Sequence, residues 1–272
     1  MEHKGEGEIL EGQLAEGLAA LRRSAIGLFI SALSGGLDVG FSTFIGAAVL
    51  TLLPAGGEAL FLQRLMLGAS YAIGFILVVL GRSELFTEQT TLAVLPVLHG
   101  SADLRQLGRL WGIVYAGNLV GAAIFAAIAA LAGPALGAID HAAFAHIAAR
   151  TVSPEGWVIF VSGALAGWLM GLLSWLVSAA RDTIGQLLVV VVITGSIGFL
   201  GLHHSIVGTT EVLAGIFAGG PVTLVSFMRF LALATVGNAF GGVVFVAVLK
   251  YSHAVRAGRL EVVDLAPPRS RR

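Results

Sequence analysis

The sequence predicts an all-α integral membrane protein with six transmembrane helices in two inverted halves of three, the second and fifth helices being broken near mid-membrane. Three observations predict it. The first is composition: 57% of the 272 residues are hydrophobic, 12% are charged and the mean hydropathy is +0.91, far from the roughly 25% charged residues of a soluble domain. The second is a pair of polar stretches inside otherwise apolar runs, Gly81-Arg82-Ser83-Glu84-Leu85-Phe86-Thr87-Glu88-Gln89-Thr90-Thr91 and Gly201-Leu202-His203-His204-Ser205-Ile206-Val207-Gly208-Thr209-Thr210-Glu211. Charged groups and imidazoles at bilayer depth cost several kcal/mol and persist where they face protein interior or a water-filled path, so the two stretches read as the halves of one pore. The third is a repeat. Gly117-Asn118-x-x-Gly121-x-x-x-Phe125 recurs 120 residues later as Gly237-Asn238-x-x-Gly241-x-x-x-Phe245, and Gly81 has Gly201 at the same offset.

In chain order, residues 1–22 are acidic, with Leu10, Leu14, Leu18 and Leu21 at helical spacing. That pattern predicts an interfacial amphipathic helix, with a disordered stretch as the alternative for the first eight residues. Glu2, Glu6 and Glu8 occupy what would be the basic region of a signal peptide and argue against one. Arg22-Arg23 opens the first span, Ala25 to Leu53, in which Gly35-Gly36, Asp38 and Gly40 predict an interruption. The second span starts as Leu65 to Leu80, passes the first polar stretch and ends as Leu92 to Leu98, too short to cross a hydrocarbon core of about 30 Å alone. The third covers Leu110 to Leu131. A loop with Asp140, His141, His146, Arg150 and Pro154 follows, and then the pattern repeats: Trp157 to Ala180, Leu187 to Leu200 continued by Val212 to Ala218, and Phe227 to Leu249. Residues 23–252 thus form the transmembrane domain, in halves 23–133 and 155–251, and residues 253–272 a polar tail. Three spans per half force opposite orientations on the halves, the inverted repeat that builds midplane sites from broken helices.

The 37 glycines serve close helix approach, Gly36-x-x-x-Gly40 and Gly167-x-x-x-Gly171 among them. The absence of cysteine removes disulfides and thiolate metal sites. Placing both termini on one side collects Lys4, Arg22, Arg23, Arg105, Arg109, Arg181, Lys250, Arg256, Arg259, Arg269, Arg271 and Arg272 there, 12 of the 16 basic residues, which makes that side cytoplasmic. Arg64, Arg150 and Arg229 fall outside and Arg82 within the membrane. Half-helices starting near Thr90-Thr91 and Thr209-Thr210, with threonine N-caps, point their positive ends at the midplane and favour an anion.

Four motifs in this order resemble the formate/nitrite transporter family: Glu84-Leu85-Phe86-Thr87, Trp111-x-x-x-Tyr115-x-Gly117-Asn118-Leu119-Val120-Gly121-Ala122, His204-Ser205-Ile206 and Gly237-Asn238-x-x-Gly241-Gly242, over residues 20–251. The resemblance implies an aquaporin-like fold and a homopentamer in a bacterial inner membrane with a pore in every protomer. It implies a channel or transporter for small monovalent anions such as formate, nitrite or hydrosulfide, moved in some members with a proton. Motif position puts Thr87 and His204 at the pore centre. Leu85 and Phe86 would close the cytoplasmic side, with Ser205 in the second loop, and Tyr71 and Phe75 would line the vestibules. The departures are Gly208, where the family has asparagine, Gly167 or Trp168 at another expected asparagine, and Arg150 and Thr151 near an expected lysine.

Asn118 and Asn238 are expected to tie down re-entrant backbone, and Glu84 to accept backbone N–H bonds that hold its loop. Glu88 and Glu211 either brace the half-helices or relay protons; His203 is structural, subunit-facing or part of such a relay. His204 is the one group of the central motif whose charge changes near neutral pH, predicting faster transport as pH falls. Read without the motif, it is a buried packing histidine. The partners expected are a small anion and the bilayer, with no nucleic acid, cofactor, bound metal or catalytic residue. Two other classes compete. A channel for small neutral solutes shares the fold, but no Asn-Pro-Ala triplet occurs. An intramembrane metalloenzyme would need His203, His204, Glu84, Glu88 and Glu211 together, and adjacent histidines on one backbone point apart.

Overall fold

The computed structural model describes residues 4–53 and 59–256. Six helices in it are long and apolar enough to span a membrane: α2 (Ala25–Leu52), α3 (Ala59–Gly81), α6 (Leu104–Ala135), α8 (Gly156–Ala179), α9 (Thr183–Leu200) and α11, which starts at Leu224 and continues through a π-helical turn, Val243–Val248, into α12 (Leu249–Arg256). Helix α1 (Glu6–Arg22) buries the predicted leucine stripe, Leu10, Leu14, Leu18 and Leu21. It is held by Gln13, whose side chain donates to the Ser174 carbonyl at 3.1 Å, and by Lys4, which donates to that of Ser178 at 2.6 Å. The last span runs past the predicted boundary at 252 to Arg256. Residues 1–3, residues 54–58 and most of the expected tail, 257–272, lie outside the described residues.

Helix starts follow from local chemistry. Ser24, Asp103, Asp182 and Thr223 cap α2, α6, α9 and α11, each side-chain oxygen accepting a backbone N–H three residues on; Asp103 completes a capping box with Gln106. The second span breaks at 82–85 and resumes as α4 (Phe86–Leu92) and α5 (Val94–Leu98). The fifth breaks at 201–204 and resumes as α10 (Ser205–Phe217).

Four expectations are corrected. Helix α2 is continuous through Gly35-Gly36 and Gly40: a Cβ on Gly36 would run into the Asn118 carbonyl, so these glycines permit the close crossing of α6 and break nothing. The half-helices begin four to five residues before the threonines. Within them the hydroxyls of Thr90 and Thr209 turn back to the carbonyls of Thr87 and Ser205, at 2.7 Å each, and that of Thr91 reaches the Gly242 carbonyl at 3.1 Å. The segment around Asp140 to Pro154 contains a helix, α7 (His141–Val152), packed against α10. Arg82 is not enclosed by protein at the break. Its side chain is 72% exposed and lies 4.0 Å from Glu16 of α1.

The duplication extends to individual bonds. Asn118 Oδ1 accepts from the Phe86 N–H and Asn238 Oδ1 from the Ser205 N–H, both at 2.8 Å. Asn118 Nδ2 donates to the carbonyls of Ala32 (2.7 Å) and Glu84 (2.9 Å); Asn238 Nδ2 donates to those of Gly163 (2.8 Å) and His203 (2.9 Å). Ser31 Oγ accepts from the Glu84 N–H as Ser162 Oγ does from that of His203. Tyr115 and Thr235, themselves 120 apart, touch hydroxyl to hydroxyl at 2.8 Å, so the relating axis passes between them. Each asparagine satisfies an N–H and a carbonyl that a broken helix at this depth would otherwise leave bare, and ties them to a carbonyl of α2 or α8.

Candidate functional site

The two breaks meet in the protein interior. His204 is the N-cap of α10, with its Nδ1 accepting the Val207 N–H at 3.3 Å. A ring nitrogen that accepts carries no hydrogen, so the resting imidazole is neutral and its hydrogen is on Nε2. Nε2 lies 2.8 Å from Thr87 Oγ1. With Nε2–H donating, the Thr87 hydroxyl keeps its own hydrogen for a further acceptor. Both residues are buried, at 2% and 0% exposure. Phe75 closes one side, its ring edge-on to His204 with centroids 5.3 Å apart and stacked on Tyr71 at 5.2 Å.

A cavity opens on each side of this contact. One, termed outer because no residue of α1 lines it, has about 260 Å³ and is lined by Tyr71, Thr43, Arg150, His203, His204 and Glu211, with other residues of α2, α7 and α9. The other, termed inner for its α1 residues, has about 310 Å³ and is lined by Glu16, Arg23, Arg82, Glu84, Glu88 and Gln89, with residues of α8. Thr87, Phe75, Leu85, Phe86 and Ser205 line neither cavity. Phe86 turns towards α6, 4.8 Å from the Tyr115 ring and 5.8 Å from that of Trp111. Ser205 is fully buried and its hydroxyl has no partner among the described residues.

Glu84 departs from its expected role. Its carboxylate takes no backbone N–H; it pairs with Arg23 at 2.6 Å and receives the Gln89 amide. Ser83 adds a further tie, donating to Asp38 of α2 at 2.9 Å. The first loop is thus latched by an ion pair at the inner mouth.

The second loop is held by neutral groups. His203 Nδ1 is 2.8 Å from Ser162 Oγ, and Nε2 faces the Thr151 carbonyl at 3.1 Å. A carbonyl only accepts, so Nε2 carries the hydrogen. Phe230 packs on the His203 ring and fills the space beside Gly208, the position at which the resemblance expects asparagine. Glu211 Oε2 accepts from Thr151 Oγ1 at 2.8 Å. Glu88 meets only the Ser174 hydroxyl, at 3.5 Å. The five groups an intramembrane metal would need are divided between the two cavities, and no metal-binding cluster of three occurs among the described residues.

Several contributors were not singled out from the sequence. Arg23 and Gln89 clamp Glu84, and Ser31 and Ser162 anchor the loops. The serines carry a detectable signal: they sit 131 residues apart, as do Ala32 and Gly163, so the first helices of the two halves repeat at an offset different from that of the third.

The comparisons agree with the fold. The sequence model of the formate/nitrite transporter family matches residues 7–252. The inner membrane protein YfdC of Escherichia coli K12 is 31% identical over 242 residues, 88% of this chain and 75% of the relative. Among solved structures, an FNT family ion channel shares the fold with a TM-score of 0.79 and 25% identity over 90% of this chain and 98% of the other. A pentameric formate channel with formate bound shares it with a TM-score of 0.73 and 23% identity over 85% and 98%. The six spans, the paired breaks and a family match over all three spans of both halves lead to one conclusion: the chain belongs to the formate/nitrite transporter family.

Proposed function

We propose that each protomer carries small monovalent anions of the formate and nitrite kind across a bacterial inner membrane, through the Thr87–His204 contact. The observation that carries this reading is a neutral imidazole Nε2–H and a hydroxyl meeting at 2.8 Å between two cavities that approach from opposite sides. An anion entering this contact loses water, and fixed N–H and O–H donors in a dry site offset that loss at no reorganisation cost. The N-termini of α4 and α10 point into the same region and add their dipoles.

Tyr71 and Phe75 form the outer approach to the pair, and Leu85 and Phe86 seal it from within. The membrane domain is residues 23–252, flanked by the interfacial 1–22 segment and the tail from 253, with both termini cytoplasmic by the distribution of Lys and Arg. Assembly is homopentameric, the state named for the formate channel that shares the fold. The role is transport and not catalysis.

The test is flux into proteoliposomes for formate, nitrite, hydrosulfide, acetate, chloride and glycerol, with wild type and Thr87→Val. Formate and nitrite enter in the wild type. Thr87→Val assembles normally but loses flux about tenfold, because an apolar group of equal size leaves the His204 N–H without its acceptor, a loss of about 1 to 3 kcal/mol. Glycerol flux without anion flux, or unchanged formate flux in Thr87→Val, refutes the reading.

A further inference from the structure

We propose that Glu211 is the proton-loading group of the outer cavity, giving a proton to the arriving anion before it meets the Thr87–His204 pair. This rests on the pore reading above and adds a residue to it: the Thr87–His204 donors draw the anion in, and the species that crosses between them is its conjugate acid. His204 is ill suited to supply that proton. Its Nδ1 is occupied by the Val207 N–H, so a second hydrogen there would face another N–H. His203 is engaged at both ring nitrogens, by Ser162 and the Thr151 carbonyl. Glu211 lines the same cavity as both histidines, and none of the ion pairs among the described residues involves it.

Its one hydrogen-bond partner among the described residues is built to serve two protonation states. The Thr151 hydroxyl lies 2.8 Å from Glu211 Oε2 and 3.0 Å from the Ile147 carbonyl. When Glu211 is ionised, Thr151 donates to the carboxylate. When Glu211 is protonated, its O–H donates to Thr151, which donates in turn to Ile147. Both states are satisfied without moving a heavy atom. The groups around the cavity are Arg150 and His146 from α7, Tyr71 from α3 and the two loop histidines, with Arg64 of α3 beside Gly201. Arg150 supplies positive charge that draws an anion towards the carboxyl. Thr43 of α2, whose buried hydroxyl has no partner among the described residues, lines the same space.

The step balances. The Glu211 O–H bond breaks, its electron pair stays on the carboxylate, and the proton bonds to an oxygen of the anion. The neutral acid passes the Thr87–His204 contact, and external water reprotonates Glu211. One proton accompanies each anion.

The experiment measures formate uptake and internal acidification in proteoliposomes across external pH for wild type, Glu211→Gln, Glu211→Asp and Thr151→Val, with assembly checked by size-exclusion chromatography. In the wild type formate and protons enter together. Glu211→Gln lowers formate uptake at neutral pH at least about tenfold and flattens its pH profile, and Glu211→Asp restores the profile. Thr151→Val, lacking the donor to the ionised carboxylate, moves the midpoint of the profile to higher pH; it tests the assignment independently if Glu211→Gln fails to assemble. Infrared difference spectra on adding formate show loss of a protonated-carboxyl band in wild type and none in Glu211→Gln. Formate flux with unchanged pH profile and proton stoichiometry in Glu211→Gln, or an unmoved midpoint in Thr151→Val, overturns the assignment and leaves the pore reading intact. Absence of formate flux in the wild type overturns the pore reading itself.

Discussion

The break at 82–85 and the break at 201–204 share one skeleton and carry opposite chemistry. Bond for bond, the loops superpose at an offset of 119: Arg82 and Gly201 both adopt the left-handed conformation (φ +60° and +67°), Glu84 and His203 each give a carbonyl to the conserved-in-position asparagine, and Leu85 and His204 are the N-caps. The inner loop is latched by Arg23–Glu84 and Ser83–Asp38, whereas the outer loop is held by Ser162, Thr151 and aromatic packing. The polar backbone groups of a re-entrant segment must be satisfied in either case, so the skeleton is fixed. The side chains at the cap position are free to differ, and one half supplies an apolar side chain, Leu85, where the other supplies the imidazole. A pore with distinct inner and outer faces therefore comes from a duplicated frame.

The largest test of the shared skeleton is Asn118→Ala against Asn238→Ala. Each removes a side chain making three hydrogen bonds to backbone. Leaving the loop N–H and carbonyl unpaired costs about 1 to 3 kcal/mol each, a large part of the whole stability of a domain. Both variants are expected to lose folded, assembled protein to a similar degree, read by fluorescence-detected size exclusion and thermal denaturation. A mild loss in one and collapse in the other would show that the two frames are equivalent in geometry and unequal in energy.

Both asparagines were legible in the sequence because they sit in a five-identity repeat, and the six spans because each contains a long apolar run. The loop register was not. The glycine match of 81 with 201 puts the repeat at 120, whereas the left-handed residue of the first loop is Arg82, an arginine in a conformation that sequence pattern assigns to glycine. The start of α4 was misplaced for a related reason. Threonine is a familiar N-cap, and Leu85, which offers no capping oxygen, occupies that position only because Asn118 of α6 meets the first free N–H. Helix α7 escaped notice because its twelve residues bury Ala143, Phe144 and Ala148 among histidines and an arginine, a face too narrow to stand out. The Thr87–His204 contact joins residues 117 apart in sequence, and local pattern could not place it; the resemblance named the two residues, and α6 and α11, which pack against both α4 and α10, set the distance.

The register correction supplies a test of intermediate size. A non-glycine residue in the left-handed region carries about 1 kcal/mol of strain, relieved by Gly at the cost of a freer unfolded chain. Arg82→Gly is therefore expected to be neutral to about 1 kcal/mol stabilising, since the exposed Arg82–Glu16 pair at 4.0 Å contributes little. Gly201→Ala goes the other way. It adds the same strain, and its Cβ would occupy the place of the Arg150 guanidinium. Thermal shifts of opposite sign are the expected readout, and equal shifts would place the strain elsewhere.

The smallest expected effect separates the two mouths by pH. Glu16 of α1 lines the inner cavity, and burial pushes its carboxyl above the usual carboxylate range; Arg82 opposes the shift and Glu84 reinforces it. A carboxyl whose value rises on docking binds its proton more tightly in the docked state, so docking is disfavoured where Glu16 is ionised and strengthens as pH falls through the raised value towards the ordinary one. The side chain is 52% exposed, solvent and salt screen much of this, and the leucine stripe with Gln13 and Lys4 keeps α1 in place throughout. The expectation is a modest gain in amide-exchange protection across residues 6–22 on moving from neutral to mildly acidic pH, after correction for intrinsic exchange. Glu16→Gln removes this pH dependence and holds the protection at its acidic level. The outer mouth, where imidazoles and Arg150 take the place of the inner carboxylates, has no such carboxyl on a peripheral helix, so α7 should show no matching gain. Protection of α1 that stays flat in the wild type, or a pH dependence that survives Glu16→Gln, would mean that docking of the helix is set by its leucines alone and that the inner mouth carries no proton linkage of its own.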